Sequence, residues 1–309
     1  MGLMTLTNQE FRSGFVTILG RPNVGKSTFL NKVIGSKIAI MSDKPQTTRN
    51  TILGVLTRDN SQIIFTDTPG IHKPQSALGR LLNEDAYNAA RNVEAILFMV
   101  SAVDPIGKGD LMIIEHLKKS KNPVYLVINK IDALDSHTQI PEIIVSYMKE
   151  FEFAEVFPIS ARTGEGVNEL VEAVEKTLPI GPKYYPDDMI TDHPERFIVE
   201  ELIREKCFYL TSDEVPHSIA VIVDSMKQDE EDNNKVIIYA TIYVERDSQK
   251  GIILGKNGAL IKKIKDLSRR DIKRLLGSSI ELNLWVKVQK DWTDRPEKMK
   301  LMGYVKDEY

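Results

Sequence analysis

Cysteine is nearly absent: Cys207 stands alone in 309 residues, so no disulfide can form within the chain. That economy suits a reducing compartment and points to the cytoplasm. Long apolar runs are missing too. Stretches such as Ala95 to Val100 fall well short of the roughly 18 residues that a membrane span needs. The N-terminus lacks the charged-then-apolar pattern of a secretory signal. Met1-Gly2 opens as a myristoylation site does, but Leu6 stands where that motif wants Ser or Thr. Neither low-complexity tract nor internal repeat is present. What remains is the composition of a soluble globular protein, 42% apolar and 28% charged, with length enough for two domains.

The net charge of −3 conceals an asymmetry. Between Gln249 and Arg295 twelve Lys and Arg face five Asp and Glu, a local excess of seven positive charges, and the rest of the chain carries −10. An acidic body with a basic end suggests that the end meets a polyanion.

Residues 15–177 alternate strand-like apolar runs with helical patterns. The runs are Phe15–Gly20, Gln62–Thr66, Ala95–Val100, Val124–Ile128 and Glu155–Ile159. Helical patterns follow near Lys26–Ile34, Leu78–Arg91, Asp110–Lys119, Pro141–Glu150 and Val167–Thr177. This βαβ rhythm predicts an α/β domain with a mainly parallel sheet covered on both faces. Thr51–Thr57 is expected to pair antiparallel with the next strand across the turn at Asp59-Asn60. A joint follows, in which Pro179, Pro182, Pro186 and Pro194 break helices and favour an extended connection. Beyond it a smaller α+β module is expected. Its helices fall near Phe197–Phe208 and at Ala259–Leu276, and its strands near Ser218–Ser225, Lys235–Val244 and Ser279–Gln289. The domain boundaries read as 1–178, a linker over 179–195, and 196–309. Cys207 falls in an apolar helical stretch and reads as core.

Gly20-Arg21-Pro22-Asn23-Val24-Gly25-Lys26-Ser27, followed by Thr28, joins a strand to a helix in the G-x-x-x-x-G-K-[ST] pattern. Backbone N–H groups and the helix N-terminus attract phosphate oxygens, and the glycines let the backbone come close. Lys26 is placed for the β and γ phosphates and Ser27 for Mg²⁺. Asp67-Thr68-Pro69-Gly70 follows the next strand, so that Asp67 can hold the Mg²⁺ shell and the Gly70 N–H can sense the γ-phosphate. Pro45-Gln46-Thr47-Thr48-Arg49 offers a further hydroxyl for the metal from a segment of loop formers. Asn129-Lys130-Ile131-Asp132 ends another apolar strand. A carboxylate there can accept from the guanine N1–H and exocyclic amine, whereas adenine presents no such donor pair. Ser160-Ala161-Arg162 can present backbone N–H groups to the guanine O6.

Gly251-Ile252-Ile253-Leu254-Gly255-Lys256-Asn257-Gly258-Ala259 opens the long basic helix. Leu260, Ile261, Ile264, Leu267, Ile272 and Leu275 share one half of that helix, while Lys262, Lys263, Lys265, Arg269, Arg270, Lys273 and Arg274 mostly occupy the other. One reading is an amphipathic helix with a solvated basic face. A second is a KH module, whose G-x-x-G loop clamps the backbone of single-stranded nucleic acid. Gly255, Lys256, Asn257 and Gly258 would then meet phosphates, with Lys262 and Lys263 adding charge and Ile252, Ile253 and Leu254 apolar contact. A membrane surface is a competing polyanion, but the helix's apolar half is needed for the module's core.

The five motifs in this order resemble the translation-factor-like GTPases, and the type II KH pattern behind them resembles the Era family over nearly the whole chain. The resemblance selects Thr48 over Thr47 as the Mg²⁺ ligand and makes Lys26, Thr48 and Gly70 the catalytic set. It assigns guanine reading to Asp132, with Asn129 and Lys130 bracing the loop and covering the base. It also implies binding to the 3′ end of small-subunit 16S rRNA, help in 30S assembly, and peripheral association with the inner membrane. Ras-like enzymes hold the attacking water with a Gln directly after D-x-x-G; here Ile71 stands there, which predicts slow turnover. His72 reads as an exposed loop residue rather than a replacement base. Asn23 occupies the place where relatives hold K⁺ instead of an arginine finger. The alternative is a GTP switch whose main partner is a protein or a membrane.

Overall fold

The structure, a computed structural model, describes residues 10–41, 48–71, 76–212 and 215–304. Thr47 and His72 therefore lie outside the described residues. Two compact units emerge. The first comprises Met1–Ser36, Thr51–Ile71 and Asp85–Asp192; the second comprises Lys37–Asn50, His72–Glu84 and His193–Tyr309.

In chain order the elements up to the proline stretch are β1 (Arg12–Leu19), α1 (Lys26–Ile34), β2 (Ile52–Arg58), β3 (Ser61–Asp67), α2 (Ala77–Ala89), β4 (Ala95–Ser101), α3 (Lys108–Leu117), β5 (Val124–Asn129), α4 (Ile140–Met148), β6 (Glu155–Pro158) and α5 (Val167–Thr177). The sheet runs β2-β3-β1-β4-β5-β6, and only β2 is antiparallel to its neighbour. Every residue of β3, β4 and β5 is buried, as a parallel sheet covered on both faces requires. Strand order reverses at β1, whose neighbours are β3 and β4. A crevice opens beyond the carboxyl ends of strands at such a switch point, and the phosphate loop follows β1 there.

The proline stretch carries no helix, as its residues dictate, but it is sewn onto the first unit. Ser13 N–H donates to Pro179 O and Gly181 N–H to Phe11 O, both at 3.1 Å, and Val55 N–H of β2 donates to Ile190 O at 2.9 Å. Gln62 ties down Tyr184 and Tyr185 through three further hydrogen bonds of 2.8–2.9 Å. These partners lie more than a hundred residues apart, out of reach of local sequence patterns.

The second unit contains α6 (Glu195–Leu210), β7 (Ala220–Gln228), β8 (Lys235–Val244), α7 (Asp247–Leu254), α8 (Ala259–Leu276), β9 (Ser279–Val288) and α9 (Pro296–Leu301). Its sheet is β7-β8-β9, with β7 antiparallel and β9 parallel to β8. A parallel pair needs a crossover, here α7 and α8. The stretch read from sequence as the run into a loop is largely helix: Gly251 to Leu254 belong to α7. The Gln249 side chain accepts the Glu245 and Arg246 N–H groups and so starts the helix upstream of Gly251. Ile264, Ser268 and Ile272 form the buried line of α8, and Cys207 is fully buried, its thiol pushed up to about 12 by desolvation. Among the described residues no helix is long and apolar enough to cross a membrane.

Candidate nucleotide site and RNA-facing loop

The phosphate loop is fixed by contacts that leave no room for side chains. A Cβ on Gly20 would overlap the Met99 carbonyl, and one on Gly25, at φ 102°, would overlap Asn129 Nδ2. Asn23 also takes positive φ, at 64°. Lys26 Nζ donates to Gly20 O at 3.2 Å and Arg21 O at 3.0 Å, folded over its own loop. The Arg21 side chain departs from the loop and pairs with the buried Asp110 at 2.9 Å. Asp110 was not foreseen; its signal is the Gly107-x-x-Asp110 spacing at the start of α3, where it accepts the Gly107 N–H at 2.9 Å. Gly70 is pressed against the loop, since a Cβ there would lie 2.7 Å from Pro22 Cα. Ile71 is fully buried in the apolar core and donates its N–H to Gly20 O at 3.2 Å.

Ser27 Oγ donates to Asp67 Oδ2 at 2.6 Å, while the buried Asp67 Oδ1 has no hydrogen-bond partner. A hydroxyl and a carboxylate oxygen left to coordinate fit Mg²⁺, which takes few protein ligands and completes its shell with phosphates and water. Among the described residues no group of three His, Cys, Asp or Glu suggests a denser metal cage. Burial lowers the Lys26 ammonium to about 8 despite Asp67, and raises the Asp67 carboxyl to about 6 despite Lys26 and Ser27. Phosphate and metal binding need the charged form of each. Affinity for Mg²⁺ with GTP is therefore expected to peak between about pH 6 and about pH 8. It should fall by about tenfold per pH unit on either side, as Asp67 gains a proton or Lys26 loses one. Calorimetric titration across that range checks this, and a flat profile would refute it.

At the end of β5, Asn129 joins three motifs without pointing outward. Its Nδ2 donates to Val24 O at 2.8 Å and its Oδ1 accepts the Ala161 N–H at 2.9 Å. Lys130 takes the left-handed conformation, φ 70°, and turns the chain so that Asp132 follows on a short turn. Asp132 Oδ1 accepts from Ser160 Oγ at 2.6 Å, and its Oδ2 lies 2.6 Å from the exposed Arg162 guanidinium. The Ser160 N–H is spent on Glu165 O and that of Ala161 on Asn129. The structure thus brings Gly20 to Thr28, Asp67, Gly70, Asn129 to Asp132 and Ser160 to Arg162 into one unit.

Thr48 is buried, but it belongs to a segment counted with the second unit. Its neighbour Arg49 carries no motif signal of its own in the sequence. Only 1% exposed, Arg49 donates from Nη1 to Ile219 O at 2.6 Å and from Nη2 to Pro216 O at 3.1 Å and His217 O at 2.8 Å. Its guanidinium lies 5.6–5.7 Å from the rings of Phe208, Trp292 and Tyr304. Among the described residues no carboxylate pairs with it, and burial lowers its pKa.

The second glycine loop has at Gly255 a backbone that only glycine sustains. Gly255 sits at φ 70°, ψ 174°, a region closed to side chains, and a Cβ there would lie 2.8 Å from Leu260 Cβ. Asn257 (φ 54°) and Gly258 (φ 75°) are left-handed, and Gly258 starts α8. Lys256, Asn257, Lys262 and Lys263 are exposed. Ile252 faces solvent, whereas Ile253 is wholly buried and unavailable to a ligand, because it packs the inner side of α7.

A sequence family described as 50S ribosome-binding GTPase matches residues 15–130, and the KH domain family matches residues 214–293. Two solved structures match over almost the whole chain. One is Era in complex with MgGDPNP and nucleotides 1506-1542 of 16S ribosomal RNA; it is 41% identical, with a TM-score of 0.92, covering 95% of this chain and 99% of that one. The other is a variant of Aquifex aeolicus Era bound to GDP and aluminium fluoride, with the same identity, coverage and TM-score. With a GTPase domain, a type II KH sheet and that identity over nearly the full length of both proteins, the chain belongs to the Era family of GTPases.

Proposed function

We propose that this GTPase works as a timer in small-subunit assembly, binding the 3′ end of 16S rRNA through Gly255 to Gly258 and the basic face of α8. The observation that carries this reading is the glycine-only loop at the start of a lysine-rich helix, in one chain with a guanine-reading carboxylate. The choice of RNA follows the related Era, solved with that RNA end and MgGDPNP. Asp132 accepts from guanine, the loop from Gly20 to Thr28 holds the phosphates, and Lys26 neutralises charge that builds on the β–γ bridge. Ser27, Asp67 and Thr48 would hold Mg²⁺, which shields the phosphates when bound. Gly70 presents its N–H to the γ-phosphate. Ile71 has no group to orient water, so intrinsic turnover is slow.

Thr48 and Arg49 support coupling between the two activities. One is the metal ligand of the switch segment; the next residue is held among Phe208, Trp292 and Tyr304 of the RNA module's unit. Cytoplasmic location with peripheral contact at the inner membrane belongs to the same proposal, the basic face of α8 being its only support here.

Binding of the RNA end, measured with a GTP analogue and with GDP, tests the reading. Gly255→Asp/Gly258→Asp should weaken it by at least about tenfold, and wild-type binding should fall steeply with salt. Because both glycines take positive φ, 70° and 75°, a side chain at either strains the loop, so the melting temperature of each variant is the control for misfolding. Unchanged RNA affinity in all variants would favour a switch acting on a protein or membrane. We also expect KCl to speed hydrolysis over NaCl through Asn23; equal rates, or an Asn23→Ala variant that keeps the difference, would remove that role.

A further inference from the structure

We propose that the open face of the β7-β8-β9 sheet, around Tyr239 and Trp285, is an aromatic platform that extends the RNA track beyond the glycine loop and stacks bases of single-stranded RNA. The inference rests on the reading that Gly255 to Gly258 bind RNA. Alternation along β8 turns Ile238, Ala240, Ile242 and Val244 inward and leaves Tyr239, Thr241 and Tyr243 on the other face. Trp285 of β9 stands in register beside Thr241, on that same face. Tyr239 and Trp285 stack, with centroids 5.6 Å apart and planes 20° apart.

The pair is exposed without need. Trp285 is 48% exposed and Tyr239 39%, while the chain's other tryptophan, Trp292, is fully buried and donates its indole N–H to Ser218 O at 2.8 Å. Elsewhere on this face Ile222 and Tyr243 are covered by a cluster built from Trp292, Met299, Met302 and Tyr304. Among the described residues, nothing of that cluster packs on Tyr239 and Trp285, which stay exposed. A rigid stacked pair offers a further flat surface at little ordering cost.

Charge and continuity select the occupant. Trp285, Asn283 and Leu284 line a hollow of about 360 Å³ together with Ile261, Lys262 and Lys265 of α8, the helix that the glycine loop begins. A strand clamped at Gly255 to Gly258 passes along these lysines and reaches Trp285. The carboxylates of this face are engaged: Glu281 pairs with Lys235 at 2.8 Å, and Asp224 accepts the Thr241 hydroxyl at 2.8 Å. Cations at the edge and ring faces beyond them are the two components of a single-strand site, which tolerates sequence because every base has a π-face.

The test compares a four-nucleotide RNA, the reach of a glycine loop, with one of about ten nucleotides, on the full chain in one nucleotide state. Trp285→Ala and Tyr239→Ala should weaken the longer RNA by about 5- to 150-fold and change the shorter by less than about twofold. Trp285→Phe should restore most of the loss, and the longer RNA alone should quench Trp285 fluorescence against the constant signal of buried Trp292. If both alanine variants bind the longer RNA as wild type while Gly255→Asp/Gly258→Asp does not, the platform is refuted and the loop's role stands. If the glycine variant also binds both RNAs as wild type, the loop's role falls and the platform with it. A concentration-dependent dimer abolished by Trp285→Ala, with RNA affinity unchanged, would make the face a contact between copies and overturn the proposal.

Discussion

Asp132→Asn is expected to exchange the preferred base, reducing the advantage of GTP over XTP by about 10⁴- to 10⁵-fold. A carboxamide turns one acceptor into a donor, so guanine's N1–H and amine would meet a hydrogen instead of a lone pair. Sites built to pair a specific polar edge discriminate on that scale, because the mismatch leaves buried groups unpaired. Xanthine carries a carbonyl where guanine has its amine and suits the new side chain. The fold should survive, since Asn keeps an oxygen for the Ser160 hydroxyl, now 2.6 Å from Asp132 Oδ1. Competition between GTP and XTP, with the melting temperature as control, decides the matter. Unaltered GTP selectivity would remove Asp132 from base recognition.

Asn129→Ala is expected to damage phosphate and base recognition together, although Asn129 does neither job directly. Its amide holds Val24 O of the phosphate loop and the Ala161 N–H of the base-facing loop. Truncation strands both groups in a buried place, at about 1–3 kcal/mol each. The combined loss corresponds to roughly 30-fold to 10⁴-fold weaker nucleotide binding. GTP, XTP and free triphosphate should be affected alike, unlike the base-selective effect at Asp132. A variant with wild-type triphosphate affinity and poor GTP affinity would show that Asn129 touches the base and does not brace the loops.

What the sequence revealed was whatever its chemistry wrote locally. The phosphate loop, D-x-x-G and N-K-x-D are short strings between elements whose periodicity is plain, and α1, α5, β8 and α8 fall where their patterns place them. The expected mainly parallel sheet followed by a type II KH module is the architecture found. Features that depend on distant partners stayed hidden. Nothing around Arg49 announces three ring faces and the carbonyls of Pro216, His217 and Ile219, some 170 residues away. Ile253 reads as a groove residue until the start of α7 is known, because one helical step separates the buried side from the exposed Ile252. The Tyr239–Trp285 stack arises only when β8 and β9 are in register.

The strap between Leu178 and Ile190 also governs what can be cut from this protein. β2 lies at the rim of the six-stranded sheet, and unpaired N–H groups on a rim strand invite other chains to add on. Ile190 O takes the outward Val55 N–H, and the nearby prolines have no N–H with which to continue a ladder. The segment thus covers this rim at Val55 without offering a new edge. A fragment ending at Leu178 would keep every nucleotide motif yet bare that rim, trading a well-behaved GTPase for an aggregating one, whereas a fragment carried through Ile190 would retain its own selvedge.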